Sequence, residues 1–256
     1  CFVAPCIEAC PIAQDVPEYV HLLGEGKFEK AFDVIYSRNP LPFMTGYLCD
    51  HQCTAACTRL DWEGAVRIRE AKRIAAERGY GRFVVSGMLA GRKAGPRKVK
   101  AAILGAGPAG LAAAAFLGRE GFEAHLFESE AEAGGVVRYL LPAFRIPADA
   151  AAKDVALLRD LGVKFHFGEK TPRTLDSLSR DGFGYVLVAI GAQADKDIGI
   201  EGARPVLAFL REFRANPEAP VLGRSVVVVG AGDTAMDAAR AAKRCRGVQE
   251  GRIVYR

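Results

Sequence analysis

The residues best suited to chemistry are cysteines and glycines, and both come in patterns. Six of the seven cysteines lie in the first 57 residues, as Cys1-x4-Cys6-x3-Cys10-Pro11 and Cys49-x3-Cys53-x3-Cys57. Zinc sites usually use C-x2-C pairs, and neither group contains one. Dense thiolate runs with a proline after the last fit iron–sulfur ligation better, and the last cysteine of such a run often serves a second cluster. Zinc stays as the rival metal for these six. A disulfide scaffold belongs to short secreted domains without a large core, which this chain is not. Thiolates used as metal ligands point to a cytoplasmic, reducing compartment. Cys245 stands alone and reads as a small core residue of a helix.

The first glycine loop is Gly105-Ala106-Gly107-Pro108-Ala109-Gly110, after the apolar run Val99-Lys100-Ala101-Ala102-Ile103-Leu104 and before an Ala-rich helix expected over Pro108 to Glu120. That strand–turn–helix context is what a dinucleotide fingerprint requires. The first glycine allows the tight turn, the second a close approach to pyrophosphate, and the third close helix–strand packing. Free N–H groups and the positive dipole end of the helix then face the phosphates. Glu128 ends the next expected strand, near the spacing for a carboxylate that binds ribose hydroxyls. The second loop, Gly230-Ala231-Gly232-Asp233-Thr234-Ala235, follows Val226-Val227-Val228-Val229. Alanine at its last position satisfies the need for a small side chain. Arg256 ends the strand after that and could pair with a 2′-phosphate, so NADP(H) is favoured over NAD(H). The bland alternative for Arg256 is a solvated strand-end arginine.

Two such loops imply two nucleotides, with flavin plus nicotinamide as the familiar pair. Nicotinamide gives two electrons as hydride, flavin takes two and releases them singly, and iron–sulfur clusters take one at a time.

These groups need elements to place them. The 256 residues imply about two domains, and 50% apolar content allows a sizeable core. Asp15 should cap a helix through Val16–Leu23, and Phe28, Ala31, Phe32 and Ile35 mark a second that ends at Asn39-Pro40-Leu41-Pro42. A third is expected from Val66 to Glu77, stopping at Gly79. Residues 91–98 are basic and rich in Gly and Pro, as in a linker. Strand signals then recur at Ala124–Phe127, Val163–Phe167, Tyr185–Ile190, Val226–Val229 and Ile253–Tyr255, with helical patterns at 148–161, 206–214 and 233–245. Alternation of this kind implies a largely parallel, doubly wound sheet with helices on both faces.

The expected organisation is therefore a helical iron–sulfur domain over residues 1–85 and a linker over 86–98. A Rossmann-like flavin domain over 99–192 and the start of a nicotinamide domain over 193–256 follow. The net charge of +5 is mild and implies no nucleic-acid partner. No apolar run reaches the ~20 residues of a membrane span. His21, His51, His125 and His166 sit in contexts that mark no catalyst.

Taken in order, Cys6-Ile7-Glu8-Ala9-Cys10-Pro11, Asn39-Pro40-Leu41, Cys49 to Cys57, Gly105 to Gly110, Gly134-Gly135, Leu141 to Pro147 and Gly232-Asp233-Thr234-Ala235-Met236-Asp237 resemble one family over the whole chain. It is the family of the glutamate synthase small subunit and the N-terminal half of dihydropyrimidine dehydrogenase. The flavin and iron–sulfur subunits associated with selenate reductase and molybdenum hydroxylases are a similar subgroup. The resemblance implies FAD, NADPH and two 4Fe–4S clusters, with electrons passed to a larger catalytic or electron-accepting subunit or domain. It implies that Cys1, Cys6 and Cys57 hold one cluster, with a further cysteine three residues before Cys1. It assigns Cys10, Cys49 and Cys53 to the other, whose fourth ligand, a Glu or Gln in relatives, falls on Lys72; Glu70 is nearby. It places Gly135, Glu128 and Arg145 at the flavin, and Asp233, Thr234, Ala235, Met236 and Arg256 at NADPH. It also implies a nicotinamide domain inserted into the flavin domain, with the crossing at Tyr185–Gly191 and a returning segment after Arg256.

Three rivals stay open. A docking adaptor would lack a reducible flavin, and a zinc protein would lack labile sulfide. A flavin disulfide reductase would need a cysteine pair beside the flavin, and residues 100–200 hold no cysteine.

Overall fold

The computed structural model describes residues 3–91, 93–169, 173–195 and 198–255. Cys1 and Arg256 lie outside them. The chain divides into two units, Cys1–Ala133 with Asp149–Ile190 and Gly134–Ala148 with Gly191–Arg256.

The first unit begins with helices α1 (Pro5–Glu8), α2 (Val16–Gly24), α3 (Phe28–Arg38), α4 (Pro42–Leu48), α5 (Gln52–Ala55), α6 (Ile68–Val85) and α7 (Met88–Gly91). Asp15 caps α2 by accepting from the Glu18 N–H at 3.2 Å, worth about 1 kcal/mol. α3 stops at Arg38, one residue before Asn39-Pro40, as proline sterics require.

The expected stop at Gly79 does not occur, because α6 runs on to Val85. A Cβ on Gly79 would lie 2.3 Å from the Phe28 carbonyl oxygen. This glycine lets α6 and α3 approach, and the helix continues through it. Beyond that crossing Phe32 and Phe83 meet with ring centroids 4.9 Å apart. The sequence reading also missed α4, which begins on Pro42, a residue suited to a first turn.

After residues 92–99 come β1 (Lys100–Leu104), α8 (Pro108–Arg119), β2 (Glu123–Phe127), α9 (Val136–Tyr139), α10 (Ala148–Asp160), β3 (Lys164–His166), α11 (Leu175–Arg180), β4 (Phe183–Val188), α12 (Val206–Ala215), β5 (Ser225–Val229), α13 (Asp233–Ala242) and β6 (Glu250–Val254). The first four strands form a parallel sheet in the order β3-β2-β1-β4. That is the opening order of a dinucleotide-binding fold. The register sets Leu104 beside Phe127 and Val188, so the carboxyl ends of β1, β2 and β4 finish level.

Two long-range contacts join the helices to this sheet. Arg119, at the end of α8, donates to the Tyr36 and Ser37 carbonyls and so satisfies the last turn of α3. Its guanidinium also lies 4.1 Å from the Tyr36 ring centroid. Asp154 of α10 is fully buried and accepts from Phe43 N–H at 3.1 Å and Met44 N–H at 2.8 Å, at the N-terminus of α4. Burial pushes its carboxyl up to about 8, against the pull of those two donors.

In the second unit β5 and β6 pair in parallel. Phe209, Leu210 and Phe213 of α12 pack on Ala238, Ala241 and Ala242 of α13. Cys245 is buried in the same cluster, just past the end of α13. The segment Gly134–Ala148 belongs to this unit although its sequence lies within the flavin-type stretch. The reason is packing: Phe144 sits against the cluster, with the Arg240 and Arg244 guanidinium groups 4.6 and 4.4 Å from its ring centroid.

Candidate functional site

The first glycine loop leaves β1 at the carboxyl end of the sheet, between β1 and β4 where the strand order reverses. That is where open α/β sheets bind ligands. Gly105 has φ +103°, and a Cβ there would meet the Ala189 carbonyl oxygen at 2.5 Å. A Cβ on Gly110 would lie 1.9 Å from the Gly105 carbonyl oxygen. The turn thus fits only glycine at both places. Ala106 is buried, Gly107 is the extended N-cap of α8, Pro108 opens the helix and Ala109 is exposed at its open end. Glu128 is buried beside this loop. Its carboxylate accepts from Ala106 N–H at 2.7 Å, Glu130 N–H at 3.0 Å and the Ser129 hydroxyl at 3.1 Å. A carboxylate has about four lone-pair sites, so one acceptor position is left toward the loop.

The second loop lies in the other unit. Gly230 has φ +121°, and its N–H donates to the Val254 carbonyl at 2.8 Å. A Cβ on Gly232 would enter open space. Gly232, Asp233, Thr234 and Met236 are exposed, while Ala235 is buried at the start of α13. A cleft of about 1110 Å³ runs along this end of β5, lined by Gly232, Thr234, Ala235, Val229, Ile200 and Arg204 among others. Arg145 pairs with Asp237 at 2.6 Å, and that carboxylate is buried. Gly135 caps α9 in the same unit.

Five of the six clustered cysteines fall in the described residues. Cys6 lies on α1, Cys53 on α5 and Cys49 at the end of α4. Burial pushes the Cys6 thiol up, and Cys57 adds to it. Burial also pushes the Cys53 thiol up, and Cys49 and Cys10 add to it. Cys53 lies in the buried helical core cluster, and Cys6 packs against that cluster. Tyr19 is buried amid them, its hydroxyl pushed up first by burial and then by Cys53, Cys10, Cys6 and Cys49. His51 holds a left-handed turn and donates its N–H to the Cys49 sulfur at 3.4 Å. Among the described residues no three His, Cys, Asp or Glu side chains gather as a single metal ion would need.

Lys72 is buried on α6 and bears on Cys53. Glu70, two residues away, is turned about 200° round the helix and is absent from its buried stripe. Tyr19 belongs to the apolar pattern that marks α2 in the sequence, whereas nothing local singled out Asp154 for the interior. His125 and His166 form a pair at 3.0 Å, with Glu123 3.1 Å from His125. No helix among the described residues is long and apolar enough to cross a membrane.

A helical cysteine region followed by strand–glycine–helix units defines an iron–sulfur and nucleotide-binding oxidoreductase class. The chain belongs to the pyridine nucleotide–disulphide oxidoreductase family, which residues 99–256 match. Residues 1–82 match the family described as dihydropyrimidine dehydrogenase domain II, 4Fe-4S cluster. The chain is 46% identical over 260 residues to "Putative oxidoreductase YgfK" of Escherichia coli (strain K12), covering 100% of this chain and 25% of that protein. It is 32% identical over 280 residues to the NADP(+)-dependent formate dehydrogenase subunit beta of Moorella thermoacetica, covering 99% and 39%. Against the NADPH glutamate synthase small chain of Azospirillum brasilense it is 31% identical over 277 residues, covering 100% and 56%. The chain thus spans a quarter to rather more than half the length of these relatives. A 2-naphthoyl-CoA reductase complex aligns at 20% identity and TM-score 0.47, over 63% of this chain and 24% of that one.

Proposed function

We propose that this chain is the electron-transfer part of an NAD(P)H-dependent oxidoreductase. In this reading it holds FAD, a nicotinamide nucleotide and two 4Fe–4S clusters, and it serves a larger electron-accepting subunit or domain. The observation that supports it most is the double occurrence of the strand–glycine–helix unit, with the cysteine-bearing helices packed in the same unit as the first. When bound, nicotinamide supplies hydride, flavin converts a two-electron step into single ones, and the clusters carry electrons one at a time.

The residues' own work is to bind and orient. Gly105 to Gly110 leave the N-terminus of α8 bare for a pyrophosphate. Glu128, fixed by three donors, offers its remaining lone pair to a ribose hydroxyl. Gly230 to Met236 do the same for the nicotinamide nucleotide, with Gly232 giving room for close approach. Arg256 would select a 2′-phosphate. Gly135 and Arg145 are the further flavin contacts. Arg145 is held by Asp237, so any contact with a flavin phosphate would use its other guanidinium nitrogens. Cys1, Cys6 and Cys57 would hold one cluster, and Cys10, Cys49 and Cys53 the other. Thiolates kept as cluster ligands rather than disulfides support a cytoplasmic, reducing setting.

The test is anaerobic reduction of the purified protein by NADPH and, separately, by NADH. Bleaching of flavin absorbance followed by a paramagnetic iron–sulfur signal is expected, faster with NADPH. Protein carrying zinc without labile sulfide, or no flavin that either nucleotide reduces, would sink the reading.

A further inference from the structure

His125 of β2 and His166 of β3 lie on one face of the first sheet, where Phe127 and Phe183 join them in an aromatic ladder. The two imidazole rings are nearly parallel, at 11°, and His125 Nδ1 stands 3.0 Å from His166 Nε2. His125 Nε2 lies 3.1 Å from the Glu123 carboxylate, which the Lys164 ammonium approaches to 2.5 Å. These partners fix the tautomers. A carboxylate only accepts, so His125 Nε2 carries a hydrogen. In the neutral ring Nδ1 then accepts, so His166 Nε2 donates. The result is a line of hydrogen bonds from His166 through His125 to Glu123. Lys164 and then His125 hold that carboxylate down to about 2, so it stays an acceptor throughout the range in which histidine titrates. One proton can be added: His125 then donates from both nitrogens, and His166 accepts by carrying its hydrogen on Nδ1 instead. A second cannot, because two N–H groups would face each other at 3.0 Å.

The pair sits beside the strand ends that carry Glu128. The His166 carbonyl accepts from Glu128 N–H at 2.8 Å, and Glu169 N–H donates to the Glu128 carbonyl at 3.0 Å. The His166 ring stacks on Phe127, the residue before Glu128, with centroids 4.5 Å apart. The charges around this ladder are mixed. Arg173 lies 4.3 Å from the Phe127 ring centroid and pairs with Glu169 and Asp181. Lys100 lies 5.9 Å from the Phe183 ring centroid. Burial first, then the charges of His125, Arg173 and Lys164, hold His166 below the 6.5 of a free imidazole, while Glu169 works the other way.

We propose that His125 and His166 are positioning residues that hold the ends of β2 and β3 together around Glu128, and that a second proton on the pair parts them and loosens the flavin nucleotide. The inference rests on the flavin reading above. Because the folded value of His166 is lowered, the arrangement is complete above pH 6.5 and is lost as pH falls through that lower value. Flavin is then released in acid. The second unit contains no histidine, so its glycine loop does not share this response.

The test follows FAD binding by fluorescence from about pH 8 to about pH 5, the range spanning histidine titration, in the protein and in its His166→Gln and His125→Asn variants. Glutamine can place an amide N–H where His166 Nε2 donates, and asparagine an amide oxygen where His125 Nδ1 accepts; neither takes a proton. In the unaltered protein FAD affinity should fall about tenfold across this range, the factor that one pH unit beyond a controlling pKa brings. NADH affinity should stay nearly constant. Both variants should bind FAD in mild alkali as the unaltered protein does and should lose the fall in acid. Nitrogen chemical shifts of labelled histidine in the unaltered protein should place the hydrogen on Nε2 of both rings in mild alkali. A flat FAD profile in the unaltered protein, the same fall in either variant, or an Nδ1–H tautomer in either ring overturns the inference. Where one variant does not fold, the other is read with the tautomers. Unaltered protein that binds no FAD at any pH would instead sink the flavin reading itself.

Discussion

A methyl group on Gly110 would lie 1.9 Å from the Gly105 carbonyl oxygen, whereas the second loop already carries Ala235 at the same place in the pattern. A methyl on Gly105 would strike the Ala189 carbonyl at 2.5 Å, while one on Gly230 meets only the Ala235 Cβ at 3.6 Å. The first loop is wedged between two strands of a four-stranded sheet and braced by Glu128. The second stands at the end of a two-stranded pair, with Gly232 facing open space. One sequence pattern thus serves two packing regimes: at the first loop glycine is needed for fit, and at the second it leaves room and permits a positive φ.

The largest effect should separate the sixth positions of the loops. Gly110→Ala is expected to cost at the upper end of ~1–3 kcal/mol, because backbone rather than a flexible side chain must move. Ala235→Gly should cost only about 0.5–1 kcal/mol, the ordinary penalty for glycine in a helix. Urea denaturation of both variants checks this, and equal costs would break the comparison.

Next comes the brace of the second unit. Arg145→Met strands the buried Asp237 carboxylate and should cost about 2–3 kcal/mol, reduced from the fully buried case by the partial exposure of Arg145. Reversing Asp237 to Asn in the same protein should recover part of the loss; no recovery would show that the pair is not what holds the segment 134–148.

Glu128→Gln is the matching change at the first loop. It puts an amide N–H against one of the donors that the carboxylate accepts, for about 1–2 kcal/mol. Flavin content should fall with it, while the affinity for nicotinamide nucleotide should not. Parallel loss of both would show that the loops do not act separately.

Separate from these is a pH slope that arises in the first unit. Folded Asp154 keeps its proton up to about 8, while in the unfolded chain it ionises near 3.8. The folded state binds more protons between those values, so stability falls as pH rises through that window and levels off above it. Asp154→Asn should flatten this part of the profile in a series of denaturation curves. A profile that keeps its slope in the variant would assign the effect to other groups.

Much of this was legible in local sequence. The strand and helix periods, the Asp15 cap, the stop before Pro40 and both glycine loops depend on residues within about a turn of one another. The cysteine grouping showed only as spacing. The stop expected at Gly79 failed because glycine has two uses, ending a helix or admitting a neighbour, and only the position of the Phe28 carbonyl distinguishes them. Helix α4 went unseen because its N-terminal N–H groups are satisfied by Asp154, over a hundred residues away in the chain.

Residue order by itself therefore determined the parallel α/β class, the two phosphate-type turns and the supply of thiols, since each is written in spacings of a few residues. Tertiary structure alone decided that Gly134–Ala148 joins the second unit, and that Arg119 of α8 and Asp154 of α10 tie α3 and α4 to the helices of the sheet. Those outcomes depend on which distant surfaces exclude water together, and no local pattern carries that choice.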